Sequence, residues 1–368
     1  MTAQKAFLGD INQNKKYAVL VYLSDLAKDN AQGLGALEHN SSTSSTFGDE
    51  MEADGLNHTI SHEFFHILTP LNVHSKEIHD FDFNSPRMSA HLWMYEGFTE
   101  YFSCLFKVNK GLGTEQEFYD VMMDKFKLAG NYREDISITE MSRNVLDPET
   151  NKQFGNAYNK GAGIAMCLDI IIREKSNGKR GILSVMGELA KIYGPKRPFD
   201  DDALIPKFAE LTYPEVGDFL RRHVAGREPI DYSAYLRRVG VATETVQLPV
   251  TIALTVGGKN YFHADPQTNK VYIDVLDGKN EFVRSMGLQD QDELVEVNGV
   301  RIEGPNAAKY AAILGYKKKD GDAMTAKVLR KGQPVDLKAN ITVNKEDGQQ
   351  LRFRDESKKA LKEAWLRR

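Results

Sequence analysis

Residues 57–68 read NHTISHEFFHIL, a segment with helical spacing of apolar residues that holds two histidines four positions apart. On a helix, His62 and His66 lie on one face, so both imidazoles can reach one metal ion. Glu63 projects beside them toward a metal-bound water. A pair of surface histidines is the alternative interpretation. The stretch therefore predicts a helix at the centre of a metal site, and a further ligand must come from elsewhere in the chain.

A catalytic zinc site needs three protein ligands and one open position, so a third His, Asp or Glu is required. Residues 93–101, WMYEGFTEY, supply a candidate on a second predicted helix. Glu96 can present its carboxylate from there. Glu100, one turn further along, faces the same way and could accept the ring N–H of a ligand histidine. The alternative for Glu100 is an ordinary solvated helix charge.

The composition is that of an ordinary globular protein of 368 residues, with 41% hydrophobic and 27% charged residues. Because 48 basic residues stand against 52 acidic ones, the net charge of −4 gives no field that would attract nucleic acid or an anionic membrane. No apolar run is long enough for a membrane segment. Cys104 and Cys167, the only cysteines, lie in apolar stretches and are predicted to be core residues without a disulfide.

The opening residues lack the apolar stretch of a signal peptide, so the compartment is left open. A strand-like run, YAVLVYL at residues 17–23, begins with little sequence before it that could form a sheet partner. We therefore expect an upstream domain, with any targeting signal it carries, to be missing from this sequence. A periplasmic or extracellular location stays open.

The periodicity predicts an α+β chain with three parts. Residues 1–243 begin with strands and loops and continue as a helical domain, with helices predicted at 57–68, 88–108, 114–129, 158–175, 182–193, 214–225 and 232–239. Residues 244–345 carry short β-branched runs at 248–256, 271–276, 294–297 and 323–329. Residues 346–368 end in a helix that we expect to dock by the face containing Ala360, Leu361, Ala364 and Trp365, with a membrane or partner helix as the alternative.

Four motifs resemble one family. They are His62-Glu63-Phe64-Phe65-His66, Trp93-x-x-Glu96-Gly97-Phe98-Thr99-x-Tyr101, Gly35-Ala36-Leu37-Glu38-His39 and Tyr158-Asn159-Lys160-Gly161-Ala162. Thirty positions separate His66 from Glu96 (96 − 66 = 30). This pattern resembles the glycyl aminopeptidase family of gluzincin zinc metallopeptidases. The resemblance implies a thermolysin-like, mostly helical catalytic domain with a small N-terminal sheet, and the family's N-terminal β-rich domain is expected to have no counterpart in this sequence.

The resemblance also implies roles for single residues. His62, His66 and Glu96 would hold one Zn²⁺ per chain, and Glu63 would be the general base that activates a zinc-bound water. Tyr158 would donate its hydroxyl to the tetrahedral oxyanion, or would otherwise be an ordinary core tyrosine. Basic residues that follow the second histidine in the family are replaced here by residues 68–75, LTPLNVHS, so preference for an N-terminal glycine stays open.

Glu38 bears on the class of substrate. In related aminopeptidases the matching segment is an edge strand along the substrate, and its glutamate holds the free N-terminal ammonium. Gly35 and Ala36 would leave room for the substrate backbone, and Glu38 would bind the ammonium. The alternative for Glu38 is a solvated charge at a strand end. The expected partner is thus a peptide with a free N-terminus.

The third part resembles a PDZ-like domain, through residues 284–288, RSMGL, and 292–302, DELVEVNGVRI. Asn298-Gly299 between two apolar runs also predicts a hairpin turn. Such a domain could bind an extended peptide as an added strand, or pack within the chain in a regulatory role.

Two alternatives to a zinc aminopeptidase are left open. One is an endopeptidase with the same metal chemistry. The other is a non-catalytic, PDZ-containing peptide-binding protein with a structural or empty zinc site. The remaining seven histidines have no partner at ligand spacing and are assigned surface or core roles.

Overall fold

A computed structural model describes residues 1–24, 34–48, 51, 53–250, 253–302 and 320–367. The chain divides into two compact units, one formed by Met1–Thr243 with Leu351–Arg368 and the other by Glu244–Gln350. The sequence placed its boundaries at 243/244 and 345/346. Of the predicted second part, residues 251–252 in the strand-like run 248–256 and residues 303–319 lie outside the described residues, as does residue 368 of the predicted tail helix.

The first unit begins with helix α1 (Thr2–Leu8) and a three-stranded sheet of β1 (Ala18–Ser24), β2 (Gly35–His39) and β3 (Ser42–Gly48). The strand order is β1-β3-β2, with β1 parallel and β2 antiparallel to β3. Within the described residues, β2 is therefore an edge strand. This is the small N-terminal sheet that the sequence predicted.

The helical body follows the sheet. Its helices are α2 (Ala53–Phe65), α3 (Lys76–His79), α4 (Leu92–Asn109), α5 (Glu115–Ala129), α6 (Ile138–Arg143), α7 (Pro148–Asn151), α8 (Asn156–Lys175), α9 (Ile182–Ile192), α10 (Leu204–Leu211), α11 (Pro214–Phe219), which continues as a π-helical turn over Leu220–Ala225, and α12 (Tyr232–Arg238). The predicted α+β class is thus confirmed. Helix α2 ends three residues before the predicted residue 68, because the backbone N–H groups of residues 66–68 bond to carbonyls three residues back instead of four.

Helices α4 and α8 pack closely at the centre of this unit. A Cβ on Gly97 would lie 2.3 Å from the carbonyl carbon of Gly161, and a Cβ on Gly161 would lie 2.6 Å from the carbonyl oxygen of Trp93. Only glycine lets two backbones approach this far. The contact fixes the distance between α4, which carries Glu96, and α8, which carries Tyr158. Cys104 and Cys167 are both buried and unpaired, as predicted.

The chain returns to the first unit through its last helix, α14 (Lys359–Arg367). Trp365 is fully buried, and its indole N–H donates to the Tyr101 hydroxyl at 2.8 Å. That hydroxyl donates in turn to Asp169 at 2.7 Å. Of the predicted face, Ala364 and Trp365 are buried and Leu361 is half-buried, but the prediction was wrong for Ala360, which is exposed. The docked face also buries Leu366 and most of Lys362, because it is rotated toward these residues. A described helix long and apolar enough to span a membrane is not found.

The second unit is β-rich. Its elements are β4 (Val241–Pro249, which begins in the first unit), β5 (Thr255–Val256), β6 (Lys259–Asn260), β7 (Phe262–Ala264), β8 (Val271–Ile273), α13 (Glu281–Met286), β9 (Glu293–Val297), β10 (Val300–Arg301), β11 (Ala323–Arg330), β12 (Gln333–Asn340) and β13 (Lys345–Phe353, which ends in the first unit). The main sheet has the order β12-β11-β9-β8-β7, and β10 pairs with β9. Asn298 and Gly299 both have positive φ, at 48° and 82°, which is the hairpin turn that their sequence predicted. The PDZ-like assignment stays a prediction.

Candidate metal centre

The last turn of α2, with the residue directly after it, brings together His62, Glu63 and His66. Each offers one ligand atom, and these atoms lie within 4.8 Å of one another. All three residues are buried, with 6%, 6% and 2% of their surface exposed. The helical spacing that suggested the site therefore places the side chains as expected, and it does so in an interior where unpaired polar groups are costly.

Glu96 reaches this group from α4. Its Oε2 lies 3.1 Å from Nε2 of His62 and 3.6 Å from Nε2 of His66. Two atoms that bind one tetrahedral zinc ion at ~2.0–2.1 Å stand about 3.3 Å apart. The two distances bracket that value, so the donor set His62, His66 and Glu96 fits zinc in both chemistry and spacing.

The other ring nitrogen of each histidine is held by the protein. Nδ1 of His66 donates to the Thr69 carbonyl at 3.0 Å, because a carbonyl can only accept. Nδ1 of His62 lies 2.8 Å from Oε2 of Glu100 and donates to that carboxylate. Both rings therefore turn Nε2 toward Glu96. Glu100 lies where the sequence suggested, beside a candidate ligand histidine.

Glu100 has two further partners that the sequence reasoning missed. Its Oε1 lies 2.7 Å from Nζ of Lys125 on α5 and 2.9 Å from Nε2 of His58 on α2. His58 was assigned a surface or core role, although its position four residues before His62 was a signal that it shares the same helix face. No sequence pattern pointed to Lys125, because α5 packs beside α4 only in the folded chain.

His58, Glu100 and Cys104 form a second group whose ligand atoms lie within 4.8 Å of one another. The Lys125 ammonium, however, already contacts the Glu100 oxygen that a cation would need. Burial also raises the pKa of the Cys104 thiol to about 12, which disfavours the thiolate that a metal binds. This group is therefore better described as a support for Glu100 than as a second metal centre.

The carboxylates and the histidines shift one another's protonation. Burial lowers the pKa of His62, but hydrogen bonds and charge from Glu100 and Glu96 outweigh it and raise that pKa to about 10. Burial likewise raises the pKa of Glu96, but the two histidines outweigh it and the pKa falls. Glu96 is thus held as an anion, which is the form that binds a metal.

Glu63 differs from Glu96 in its surroundings. Burial raises the pKa of its carboxyl group, although His66 and His62 act in the opposite direction. Among the residues that the structure describes, Oε2 of Glu63 is buried without a hydrogen-bond partner. A buried oxygen without a partner is costly unless another molecule supplies one, so Glu63 is suited to receiving a proton.

Tyr158 lies in the first turn of α8 and faces the same centre. Its ring is 5.5 Å from the His62 ring, measured between centroids. Burial and the nearby charge of Glu96 raise the pKa of the Tyr158 hydroxyl. The hydroxyl therefore keeps its proton and can act as a hydrogen-bond donor.

Strand β2 carries the three predicted substrate-binding residues. A Cβ on Gly35 would meet nothing within 4 Å, and Ala36 is half-buried. Glu38 is half-buried too, and its charge contributes to raising the pKa of Glu63, so the two carboxylates are close. Among the described residues, no cation is seen paired with Glu38. The structure thus brings β2, an edge strand of the described sheet, near the α2 centre.

Tyr17 is a further neighbour that the sequence reasoning did not single out. Its hydroxyl donates to the backbone carbonyl of Glu63 at 3.4 Å, and its ring packs on Phe64 at 5.0 Å. Burial and the charges of Glu63 and Glu38 raise its pKa, so this hydroxyl lies close to both carboxylates. A cavity of about 680 Å³ lies apart from these residues, beside Ile67, Leu71 and Asn72.

The residues of this centre fall within a stretch that resembles a known family. Residues 56–164 match the family model described as M61 glycyl aminopeptidase, and this stretch contains both histidines, Glu63, Glu96, Glu100 and Tyr158. The match confirms the family resemblance that the motifs indicated, over these residues.

One solved structure shows the same fold. It is an aminopeptidase N family protein from Idiomarina loihiensis, with 21% sequence identity and a TM-score of 0.61. The match covers 100% of this chain and 64% of that one, so this chain spans less than two thirds of its length. No curated protein matches the chain.

Proposed function

We propose that this chain is a zinc-dependent aminopeptidase that removes N-terminal residues from peptides. The proposal is carried by one observation: Nε2 of both histidines meets the Glu96 carboxylate next to the unpartnered Oε2 of Glu63. A site that needed a metal only for structure would have no use for a buried free base beside it.

His62, His66 and Glu96 would hold the ion. Zinc, when bound there, supplies a Lewis acid that lowers the pKa of a bound water to about 7 in favourable sites. Glu63 takes a proton from the attacking water on Oε2 and later gives it to the leaving amine nitrogen. The raised pKa of Glu63 favours the first of these transfers, because a more basic carboxylate takes the water's proton more readily.

Tyr158 acts on the oxygen of the scissile carbonyl. Its hydroxyl remains protonated at neutral pH and donates a hydrogen bond that strengthens as negative charge develops. Because Tyr158 belongs to α8 and the metal ligands to α2 and α4, its contribution to rate is separable from metal binding.

Glu38 selects the substrate. The peptide backbone lies along the open edge of β2, and the Glu38 carboxylate binds the α-ammonium at the closed end. A half-buried carboxylate gains most from a charged partner, and an internal peptide segment offers none. This favours an exopeptidase over the endopeptidase alternative.

The test uses one peptide in two forms, with a free or an acetylated N-terminus, and zinc content measured on the same protein. The parent should cleave the free form far faster. Glu38→Ala should lower kcat/KM for the free form. The loss should correspond to roughly 2–5 kcal/mol of transition-state stabilisation, the range for truncating one member of a buried charge pair. The same substitution should scarcely change kcat/KM for the acetylated form.

Three outcomes would contradict the proposal. Equal cleavage of both forms by the parent favours an endopeptidase. Equal loss on both forms in Glu38→Ala removes Glu38 from amine recognition. A zinc-loaded parent that cleaves neither form favours the non-catalytic peptide-binding protein.

A further inference from the structure

The Glu100 carboxylate is held at both of its oxygens. Oε2 accepts from Nδ1 of His62 at 2.8 Å, and Oε1 contacts Nζ of Lys125 at 2.7 Å and Nε2 of His58 at 2.9 Å. The Glu100 side chain is 4% exposed, that of Lys125 is 18% exposed and that of His58 is 33% exposed. Three elements, α2, α4 and α5, therefore meet at one buried carboxylate.

A buried carboxylate is costly unless a cation and hydrogen bonds compensate it. His62 alone compensates one oxygen. Lys125 supplies the fixed positive charge at the other oxygen, and it comes from a helix that contributes nothing else to the site. Of the two groups on Oε1, Lys125 is the better shielded from solvent and is the permanent cation.

The geometry of the carboxylate couples its two oxygens. Because the group is planar, fixing the direction of Oε1 also fixes where Oε2 points. Oε2 determines the rotation of the His62 ring through Nδ1, and that rotation presents Nε2 beside Glu96 at 3.1 Å. A displacement of the Lys125 ammonium would thus move Nε2 of His62, because Lys125 contacts Glu100 and Glu100 contacts His62.

We propose that Lys125 is a positioning residue for the zinc site, which acts through Glu100 to hold His62 in its metal-binding orientation. This inference rests on the proposed function. Lys125 touches neither the ligand atoms nor, on this interpretation, the substrate. Removing the Lys125 ammonium should therefore weaken zinc binding directly, whereas substrate binding should change only through the zinc site.

The experiment measures the zinc dissociation constant by competition with a chelator in the full chain. Lys125→Met keeps the length of the side chain without its charge. It should bind zinc about 10-fold more weakly, the low end of the roughly 10–100-fold range for losing a group that hydrogen-bonds a metal ligand, because Lys125 acts one residue further out, through Glu100. Lys125→Arg should recover most of that loss. The matched control is Lys127→Met on the same helix. The Lys127 side chain is 57% exposed and, within the part of the chain that the structure describes, pairs with Asp124 at 3.6 Å. Lys127→Met should stay within twofold of the parent.

A double-mutant cycle separates positioning from a general loss of packing. In a Glu100→Gln background the route from Lys125 to His62 is already broken, so adding Lys125→Met should weaken zinc binding by less than twofold more. Ring ¹⁵N shifts of His62 in the metal-free protein give a second readout, since Lys125→Met should change these shifts by reorienting the contact with Glu100 and Lys127→Met should not.

The outcomes are distinct. A parent that binds no zinc overturns the proposed function and this inference with it. A parent that binds zinc, with Lys125→Met within twofold of it, overturns the inference alone. An equal loss for Lys125→Met in the parent and the Glu100→Gln backgrounds also overturns it, because the effect would not pass through Glu100.

Discussion

Gly161→Ala should slow turnover without removing zinc. A Cβ at this position would lie 2.6 Å from the Trp93 carbonyl oxygen and 2.8 Å from the Gly97 Cα, whereas ordinary contact is 3.4–4 Å. The nearest atoms are backbone, so no side chain can move aside. Helix α8 must therefore shift from α4 by about 0.8–1.4 Å (3.4 − 2.6 and 4.0 − 2.6).

The shift is transmitted to Tyr158, which lies one turn before Gly161 on the same helix. A misplacement of about 1 Å can cost roughly 10²-fold in rate, so kcat should fall by about that factor. Zinc affinity should change little, because the ligands lie on α2 and α4. Overpacking costs about 1–3 kcal/mol, and alanine recovers about 1 kcal/mol of helix propensity, so the free energy of unfolding should fall by about 0–2 kcal/mol.

The assay combines kcat on a free-amine peptide, zinc content and urea unfolding. Gly55→Ala is the matched control, because its Cβ would meet only the Met51 side chain at 3.7 Å or more. It should keep the parent kcat. A Gly161→Ala protein with unchanged kcat would show that the α4–α8 distance does not set the position of Tyr158. A loss of zinc equal to the loss of rate would contradict the claim that α8 positions Tyr158 without contributing to zinc binding.

Two further substitutions test the proposed chemistry directly. Glu63→Gln should keep the zinc content of the parent and lose at least about 10²-fold in kcat, because a neutral amide cannot accept the water's proton; retained turnover would remove Glu63 from the role of base. Tyr158→Phe should lower kcat by roughly 10²–10³ with a smaller change in KM, as for one oxyanion donor, and an unchanged kcat would make Tyr158 a core residue.

The parts of the site that could be predicted are those that depend on the spacing of residues along one helix. His62 and His66 share a helix face by their separation, and Glu96 and Glu100 share one in the same way. Contacts between helices have no such signature. The approach of Gly97 to Gly161 and the contact of Lys125 with Glu100 depend on how α4 meets α8 and α5, which no window of sequence encodes.

The missed helix α10 has a local cause. No helix was predicted over residues 204–211, which contain Pro206, a residue that disfavours the interior of a helix. In the structure Pro206 occupies the first turn, where the backbone N–H has no intrahelical partner and proline costs little. Its position within the helix, and not its presence, decided the outcome.

The docking of α14 has a consequence for synthesis on the ribosome. Trp365 completes the hydrogen bonds of Tyr101, yet 122 residues are translated between Thr243 and Trp365 (365 − 243). At roughly 5–20 residues per second, about 6–24 s pass between the synthesis of Thr243 and that of Trp365. Residues 244–350 are translated in full during that interval, so the nascent second unit can fold while the first still exposes the surface that Trp365 will cover.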